Sequence, residues 1–431
     1  MADTHSQSVA YVRESMVPQQ PAPVSETGAI KWLRTNLFSN WFYSILTLAA
    51  IYVIYLLLSI LIPWIAGGVW LASDIRECRA ITGDGAGGCF AVLEDRIWQL
   101  LFGFSYPSEA YWRPTLALVL LFVAAAPVLF ASLPRALLIV TALYPFTAYW
   151  LLWGGTILVP TFALVGVVAG YFAYRALVDR SFALGFFGGV IVAFVVWWLA
   201  GFVTPALSDV LALQAVQSRD MGGFMLNLIL GVVCVSLSLP IGIVLALGRQ
   251  SRLPIIKGIC VVFIEFVRGV PLITLLFVAN VVLAYFLPPG TNFDLILRVI
   301  IMITMFASAY IAEVIRGGLA ALPRGQFEGA ESLGLDYWQS MRLIILPQAL
   351  KISIPGIVNV AVGLFKDTTL VSIISMFDLV GMIRGPILAS TDWNGVYWEL
   401  YGFAALLFFV VCYGISQYSQ WLERQLATDH R

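Results

Sequence analysis

Ten apolar runs, each near the length of a helix that crosses hydrocarbon, follow one another along the chain: 43–69, 115–133, 136–154, 157–174, 182–203, 223–247, 269–287, 295–315, 350–366 and 397–421. About 30 Å of hydrocarbon at 1.5 Å of rise per residue needs roughly 20 residues. The expected fold class is therefore an all-α polytopic membrane protein with about ten transmembrane helices. Only Gly154, Gly155 and Thr156 separate the third run from the fourth, and Pro160 lies just inside the latter, so a re-entrant pair is the alternative to two spans there. Counting both puts the two termini on one side, together with cationic turns at Arg135, at Arg175 and Arg180, at Arg249, Arg252 and Lys257, and between residues 316 and 351. The positive-inside rule makes that side the cytoplasm. Segment 73–113 runs against the rule, because Arg76, Arg79, Arg96 and Arg113 then lie outside.

Composition narrows the function. Of 431 residues, 61% are hydrophobic and 11% charged, with 24 Lys and Arg against 24 Asp and Glu. Mean hydropathy is +0.92, far from that of a soluble domain. Balanced charge argues against a nucleic-acid partner and leaves membrane lipid as the surrounding medium. The two histidines, His5 and His430, stand at opposite ends, the five cysteines form no C-x-x-C pair, and no G-x-x-x-x-G-K-[ST] string occurs. No metal site, no catalytic residue and no phosphate cradle is expected in this chain. If ATP is used, another subunit binds it.

Residues 1–40 contain PQQPAPV and lack the apolar core of a signal peptide, so a disordered tail ending in the amphipathic piece KWLRTNLF is expected. Residues 41–219 form an accessory transmembrane bundle, with an outer loop at 73–113. In that loop Cys78 and Cys89 flank a glycine-rich turn. A disulfide there would contribute on the order of 3 kcal/mol in the chain-entropy account; two unpaired thiols are the alternative. Cys234, Cys260 and Cys412 read as small core residues. The first five spans hold almost no polar residues beyond Ser and Thr, whereas those after Asp220 hold Asn227, Asn280, Glu313, Asn359, Lys366 and Asp367, so the working part is 220–424.

Residues 328–347, EGAESLGLDYWQSMRLIILP, are a polar island between two apolar runs. They read as two short helices joined by a glycine turn: Glu328 suits the first helix's N-terminal dipole, Gly334 permits the turn, and Pro347 opens the next segment toward the membrane. The bland alternative is a solvated hairpin. Glu313 and Arg316 share a helical face near one span end, as an anchoring ion pair or as part of a gate. Glu265 and Arg268 repeat that spacing at the start of a span, either bridging to Glu313 and Arg316 or sitting in headgroups. Lys366, Asp367 and Thr368 break an apolar run; they either line the passage for a zwitterionic solute or form an internal Lys–Asp bridge that braces the break. Asn280, Ser308 and Asn359 read as interhelical glue, and the Trp150/Trp153 and Trp197/Trp198 pairs as interfacial belt residues.

From MGGFMLNLILG at 221 onward, the stretches LPIGIVLALGRQS, FIEFVRGVPLITLLF, SAYIAEVIRGGLAALPRGQFEGAESLG, LIILPQAL and GLFKDTTLVSII cover about half the chain. At this spacing the chain resembles the permease subunits of polar-amino-acid ATP-binding-cassette (ABC) importers. The ECRA…GGCF loop and YWRPTLAL resemble in particular the larger permease of general L-amino-acid or glutamate/glutamine/aspartate/asparagine systems of Gram-negative bacteria. The resemblance implies a type I importer core in the last five spans, and a coupling loop at 316–350 with the signature residues Glu328, Gly329, Ala330, Gly334, Ile344, Leu346 and Pro347. Gly329 departs from the family's middle alanine, at a helix cost of about 1 kcal/mol. It further implies a second permease subunit, two ATPase subunits holding ATP and Mg, a periplasmic amino-acid-binding protein, and a bacterial inner-membrane location with both termini cytoplasmic. The five upstream spans would then help assembly or contact the binding protein through segment 73–113. The rivals are an ion-coupled secondary amino-acid transporter, with Glu313 or Asp367 as the coupling acid, and a membrane-embedded enzyme.

Overall fold

The computed structural model describes residues 28–83, 87–282, 285 and 293–426. Most of the expected tail, both histidines, the tip of the glycine-rich turn at 84–86 and the end of the 269–287 run lie outside these residues. Among the described residues the regular structure is helical apart from isolated β-bridges. The chain divides into two compact units, residues up to 68 with 82–88, and residues 69–81 with 89 onward.

The smaller unit holds α1 (Gly28–Asn36) and α2 (Trp41–Ala66). Asn40 is extended, and its side chain accepts the Tyr43 N–H at 3.0 Å, closing the first turn of α2 as an N-cap. Apolar on all sides and burying none of its residues, α2 has the surface of a helix solvated by lipid.

The larger unit contains α3 (Ile75–Thr82), α4 (Ala91–Phe102), α5 (Trp112–Leu129), α6 (Leu138–Trp153), α7 (Leu158–Leu177), α8 (Phe182–Val203) and α9 (Gly223–Arg249). After these come α10 (Pro254–Gly269), α11 (Leu272–Phe277), α12 (Leu295–Ala320), α13 (Arg324–Ser332), α14 (Tyr337–Ser340), α15 (Leu346–Asp367), α16 (Leu379–Met382) and α17 (Tyr397–Leu426). Among the described residues nine helical segments are long and apolar enough to cross a membrane, and one bent pair, Pro254–Gly269 with Leu272–Val282, passes the same test together.

That pair corrects the seventh run. The helix starts at Pro254, well before residue 269, and turns by 103°. Pro271 causes the break, because it lacks an N–H and forces the preceding Val270 into extended geometry at φ −104, ψ 132. Glu265 and Arg268 therefore stand at an elbow, not at the start of a straight span. The re-entrant alternative for 136–154 and 157–174 does not occur: α6 and α7 are separate full-length helices turned at Gly154 and Gly155. Gly155 and Leu213 exchange backbone hydrogen bonds of 2.8 and 3.1 Å, and the Val216 N–H donates to Trp153 O at 2.8 Å. The Trp150 and Trp153 indoles do more than sit at an interface, since they donate to Leu211 O at 3.2 Å and Ser218 Oγ at 2.9 Å. Ser218 in turn donates to Asp294, and the Gly222 and Gly223 N–H groups donate to Phe102 O and Phe377 O. These connections gather at one end of the bundle, so the bent pair crosses once.

The second correction concerns Pro347. Residues Tyr337–Ile374 form one continuous helical span, not a short helix followed by a new segment. A wide turn at Met341–Ile345, in which the Leu346 N–H reaches Met341 O, relieves the clash a proline ring makes with the carbonyl four residues back.

Helices pack closely where glycine permits it. A Cβ added at Gly242 of α9 would lie 2.6 Å from Ile311 Cγ2 of α12, and one at Gly170 of α7 would lie 2.6 Å from Gly189 O of α8. Such contacts let neighbouring backbones approach without any polar glue.

Residues 73–81 and 89–113 form a folded cap rather than an open loop. Cys78 and Cys89 are joined by a disulfide, their Cα atoms 6.1 Å apart. The Cys89 N–H donates to Glu399 Oε1 at 2.8 Å, the Ile75 N–H to Asp392 O at 2.8 Å, and the fully buried Trp393 indole to Asp95 Oδ2 at 2.7 Å. Val92 and Leu100 share a core with Leu379, Ile387, Trp393 and Leu400. Two of the arginines that run against the positive-inside rule are engaged within the protein: Arg96 forms ion pairs with Asp95 and Asp392, and Arg113, 2% exposed, donates to Gln214 O at 2.8 Å.

Replacing Cys78 and Cys89 together by serine should lower the thermal midpoint of the purified protein, since the bond closes a loop of sequence separation 11 and chain entropy assigns such a loop about 3 kcal/mol. A midpoint unchanged by the double substitution would show that packing around Trp393 alone secures the cap.

Candidate functional site

The polar island folds as a rigid hairpin. Pro323 precedes α13, whose C-terminus closes through hydrogen bonds from Gly334 N to Glu331 O (2.9 Å) and from Leu335 N to Ala330 O (3.3 Å). Gly334 has φ +72, a conformation that favours glycine at this position. Asp336 then starts α14 with a capping box: its carboxylate accepts the Gln339 N–H at 2.7 Å, and Gln339 Oε1 accepts the Asp336 N–H at 3.1 Å. Gln348 donates to Gln326 across the hairpin at 2.9 Å. Ala330 is buried and Ile344 and Leu346 are half-buried; Glu328, Gly329, Gly334 and Pro347 are exposed. Glu328 is the fifth residue of α13, past the first turn where the dipole acts, which corrects its expected role. Leu333 is 74% exposed and Trp338 69%, with Tyr337 beside them. This apolar tip is the part sequence reading missed, although both aromatic residues stand within the island.

Behind the hairpin, five charges from three helices meet. Glu313 of α12 accepts from Arg316 Nε at 2.8 Å and lies 3.4 Å from Arg249 Nη1 and 3.9 Å from Arg268 Nη1. Arg249 also bonds Glu265 at 2.7 Å, and the Arg268 guanidinium lies 5.5 Å from the centre of the Tyr310 ring. The structure thus brings Glu265, Arg268, Glu313 and Arg316 together and adds Arg249, the last residue of α9. Three guanidiniums share two carboxylates, and Glu313 Oε2 is buried without a hydrogen bond. Such a cluster depends on the separation of α9, α10 and α12.

The remaining expected residues disperse. Lys366 is exposed and Asp367 half-buried, and no ion pair joins them among the described residues, so the internal bridge is absent. Asn280 offers only its carbonyl, 3.4 Å from Arg298; Asn359 is exposed; Ser308 donates to Met305 O within its own helix. Thr368 belongs to a different group. It accepts from Asn227 Nδ2 at 2.9 Å; that amide nitrogen also lies 3.1 Å from Asp378 Oδ2, and Asn227 Oδ1 accepts the Leu379 N–H at 3.1 Å. Asn227, Thr368 and Asp378 are all fully buried. They tie α9 to the point where α15 ends and α16 begins. Burial pushes the Asp378 carboxyl up to about 6, against hydrogen bonds from Gly381, Asn227 and Val380 that lower it.

Asp378 holds its proton more tightly in the folded chain than in the unfolded one. Its contribution to stability is greatest below the ordinary value of 3.8 and is lost as pH rises to about 6. Thermal midpoints across this window should fall with rising pH in the parent and flatten in Asp378→Asn; an equal slope in both would assign the effect to other groups.

A family model described as the binding-protein-dependent transport system inner membrane component matches residues 238–426. The glutamate/glutamine/aspartate/asparagine transport system permease protein BztC of Rhodobacter capsulatus is 51% identical over 444 residues, covering 100% of both chains. The inner membrane amino-acid ABC transporter permease protein YhdY of Escherichia coli is 38% identical, covering 95% of this chain and 96% of its own. A solved structure described as an amino acid ABC transporter with histidines is 31% identical, covers 47% of this chain and 92% of its own, and has a TM-score of 0.42. Full-length likeness to ABC permeases decides against the ion-coupled carrier and the membrane enzyme. The chain belongs to the family of inner-membrane permease components of binding-protein-dependent amino-acid ABC transport systems.

Proposed function

We propose that this permease forms half of a path for acidic amino acids and their amides, with a second permease forming the other half. The full-length identity to a glutamate/glutamine/aspartate/asparagine permease supports that substrate class. In this reading two ATPase subunits carry ATP and Mg and dock on the α13–α14 hairpin, a periplasmic binding protein delivers solute, and the hairpin end and both termini face the cytoplasm. The observation that carries the docking reading is the hairpin itself: capped at both helices, anchored by Ala330, and exposing Leu333, Tyr337 and Trp338. Apolar tips on a rigid element suit a cleft on a moving partner. Exchanging Leu333 for Asp together with Trp338 for Ala should release the ATPase on co-purification and abolish uptake while the chain still inserts and folds; retained uptake would refute this reading.

The five-charge cluster serves in this proposal as the gate on the hairpin side, closed when α9, α10 and α12 converge and opened when ATPase motion separates them. Glu313→Gln would leave Arg316 and Arg268 without their shared carboxylate. The expected result is ATP hydrolysis that no longer depends on loaded binding protein, with uptake reduced at least about tenfold. Coupled hydrolysis and normal uptake in this variant would show the cluster to be only an anchor.

A further inference from the structure

Among the described residues nothing packs along α1: none of its 9 residues is buried, and it does not lie alongside α2. Its sequence nevertheless sorts by helical face. Ile30, Leu33 and Leu37 recur at spacings of three and four on one side, whereas Lys31, Arg34 and Thr35 occupy the other. The Leu37 N–H donates to Leu33 O, so the apolar edge continues past the end of α1. Between Gly28 and Gly68 the chain has no Asp or Glu to neutralise Lys31 and Arg34, and counting Glu26 just upstream still leaves a net positive charge. A helix this short is marginal in water. Its stability requires a medium that covers the apolar edge.

The attachment of α1 to α2 identifies that medium. The 26 residues of α2 rise about 39 Å, roughly 9 Å more than the hydrocarbon is thick. About three to six residues at its start therefore stand among headgroups, and these begin with Trp41, Phe42 and Tyr43, an aromatic belt. Hydrocarbon then begins between Ser44 and Thr47. The entering chain is fixed at this level: Thr47 Oγ1 donates to Leu37 O at 2.7 Å, and Leu37, Ser44 and Thr47 are half-buried. The end of α1 is thus held at the hydrocarbon boundary. Because α1 does not run along α2, it leaves that point sideways, within the interface.

We propose that α1 lies in the headgroup layer of an anionic leaflet, with Ile30, Leu33 and Leu37 turned to the acyl chains and Lys31 and Arg34 beside lipid phosphates. Trp32, 58% exposed at the border of the two faces, has the amphipathic ring that this layer favours. The carbonyls of its last turn are already engaged: Thr35 Oγ1 donates to Lys31 O at 2.8 Å and Asn36 Nδ2 to Trp32 O at 2.9 Å. The helix can therefore sit against hydrocarbon without stranding these groups. A soluble protein covering the same edge would have to follow it down to the acyl chains.

Spin labels on Ile30→Cys, Leu33→Cys and Thr35→Cys test this, each placed singly in the full chain with Cys234, Cys260 and Cys412 replaced by alanine. The chain is held in nanodiscs of phosphatidylglycerol or of phosphatidylcholine, alone and with its partner subunits. Relaxation by dissolved oxygen against a water-soluble nickel chelate then reports depth. Labels at Ile30→Cys and Leu33→Cys should be reached by oxygen and shielded from nickel, and the label at Thr35→Cys should show the reverse. The ratio of immersed to solvated label at Leu33→Cys should be higher in phosphatidylglycerol by about fivefold for each cation. Adding Lys31→Gln and Arg34→Gln should remove that difference between the lipids. Equal nickel access at all three positions would place α1 in water and overturn the proposal. Shielding of Ile30→Cys and Leu33→Cys from both reagents would overturn it in favour of a protein contact, and an undiminished lipid difference in the double glutamine variant would overturn the role of the cations.

Discussion

Hydrocarbon offers no hydrogen-bond partner to a backbone amide, and three departures from regular helix among the described residues are each matched by a local device that answers that constraint. At Pro271 the chain turns where the preceding residue is forced to extend, so the broken hydrogen bonds fall at the elbow between α10 and α11. At Pro347 the helix persists, because the wide turn just before it, closed by the Leu346 N–H on Met341 O, gives the ring room. Beyond Asp367 the α-helix tightens into the 3₁₀ segment Thr368–Ile374, whose first residue accepts from buried Asn227, while Asn227 and Asp378 accept the N–H groups that open α16. Two prolines and one polar break thus have three different structural outcomes.

How far these outcomes were legible differs from place to place. Apolar length alone located most spans, because a lipid-facing helix such as α2 needs no partner and its boundaries follow from composition. Length could not distinguish a straight span from an elbow, since the apolar residues of α10 continue into α11 and only Pro271 marks the turn. The hairpin's glycine turn was readable from Gly334, yet its exposed tip was not: Leu333 and Trp338 look like core residues to any scale that scores hydrophobicity without partners. Long-range polar contacts were hidden for a different reason. Asp378 is one acid in a polar connection until Asn227, 151 residues away, reaches it. Arg249 looked like a cationic loop residue until α12 brought Glu313 beside it.

The cap at 73–113 shows how an apparent exception to charge rules arises. Four arginines on one segment argue for the opposite membrane side only if they face lipid headgroups. Arg96 is neutralised by Asp95 and Asp392, and Arg113 is buried against a backbone carbonyl. Both side chains are taken up in tertiary contacts rather than presented to headgroups. The Arg96–Asp392 contact and the core around Trp393 bind residues 89–102 to residues 379–404 in one packed interior.

Mechanical continuity links the hairpin to the charge cluster. Met341 and Ile345, the first and last residues of the wide turn, pack in one core with Ile311, Ile315 and Leu319 of α12, Ala246 of α9 and Ile264 of α10, and Phe327 of α13 joins them. Protein interiors of this density respond to displacement as solids and shift as units. A push on the hairpin therefore reaches α9, α10 and α12 together, at the level where Arg249, Arg268 and Glu313 meet. Ion pairs weaken steeply once their hydrogen-bond geometry is lost, whereas dispersive packing tolerates small sliding. The cluster is thus the part of this core most sensitive to helix separation, and it lies within the same packed block as the hairpin.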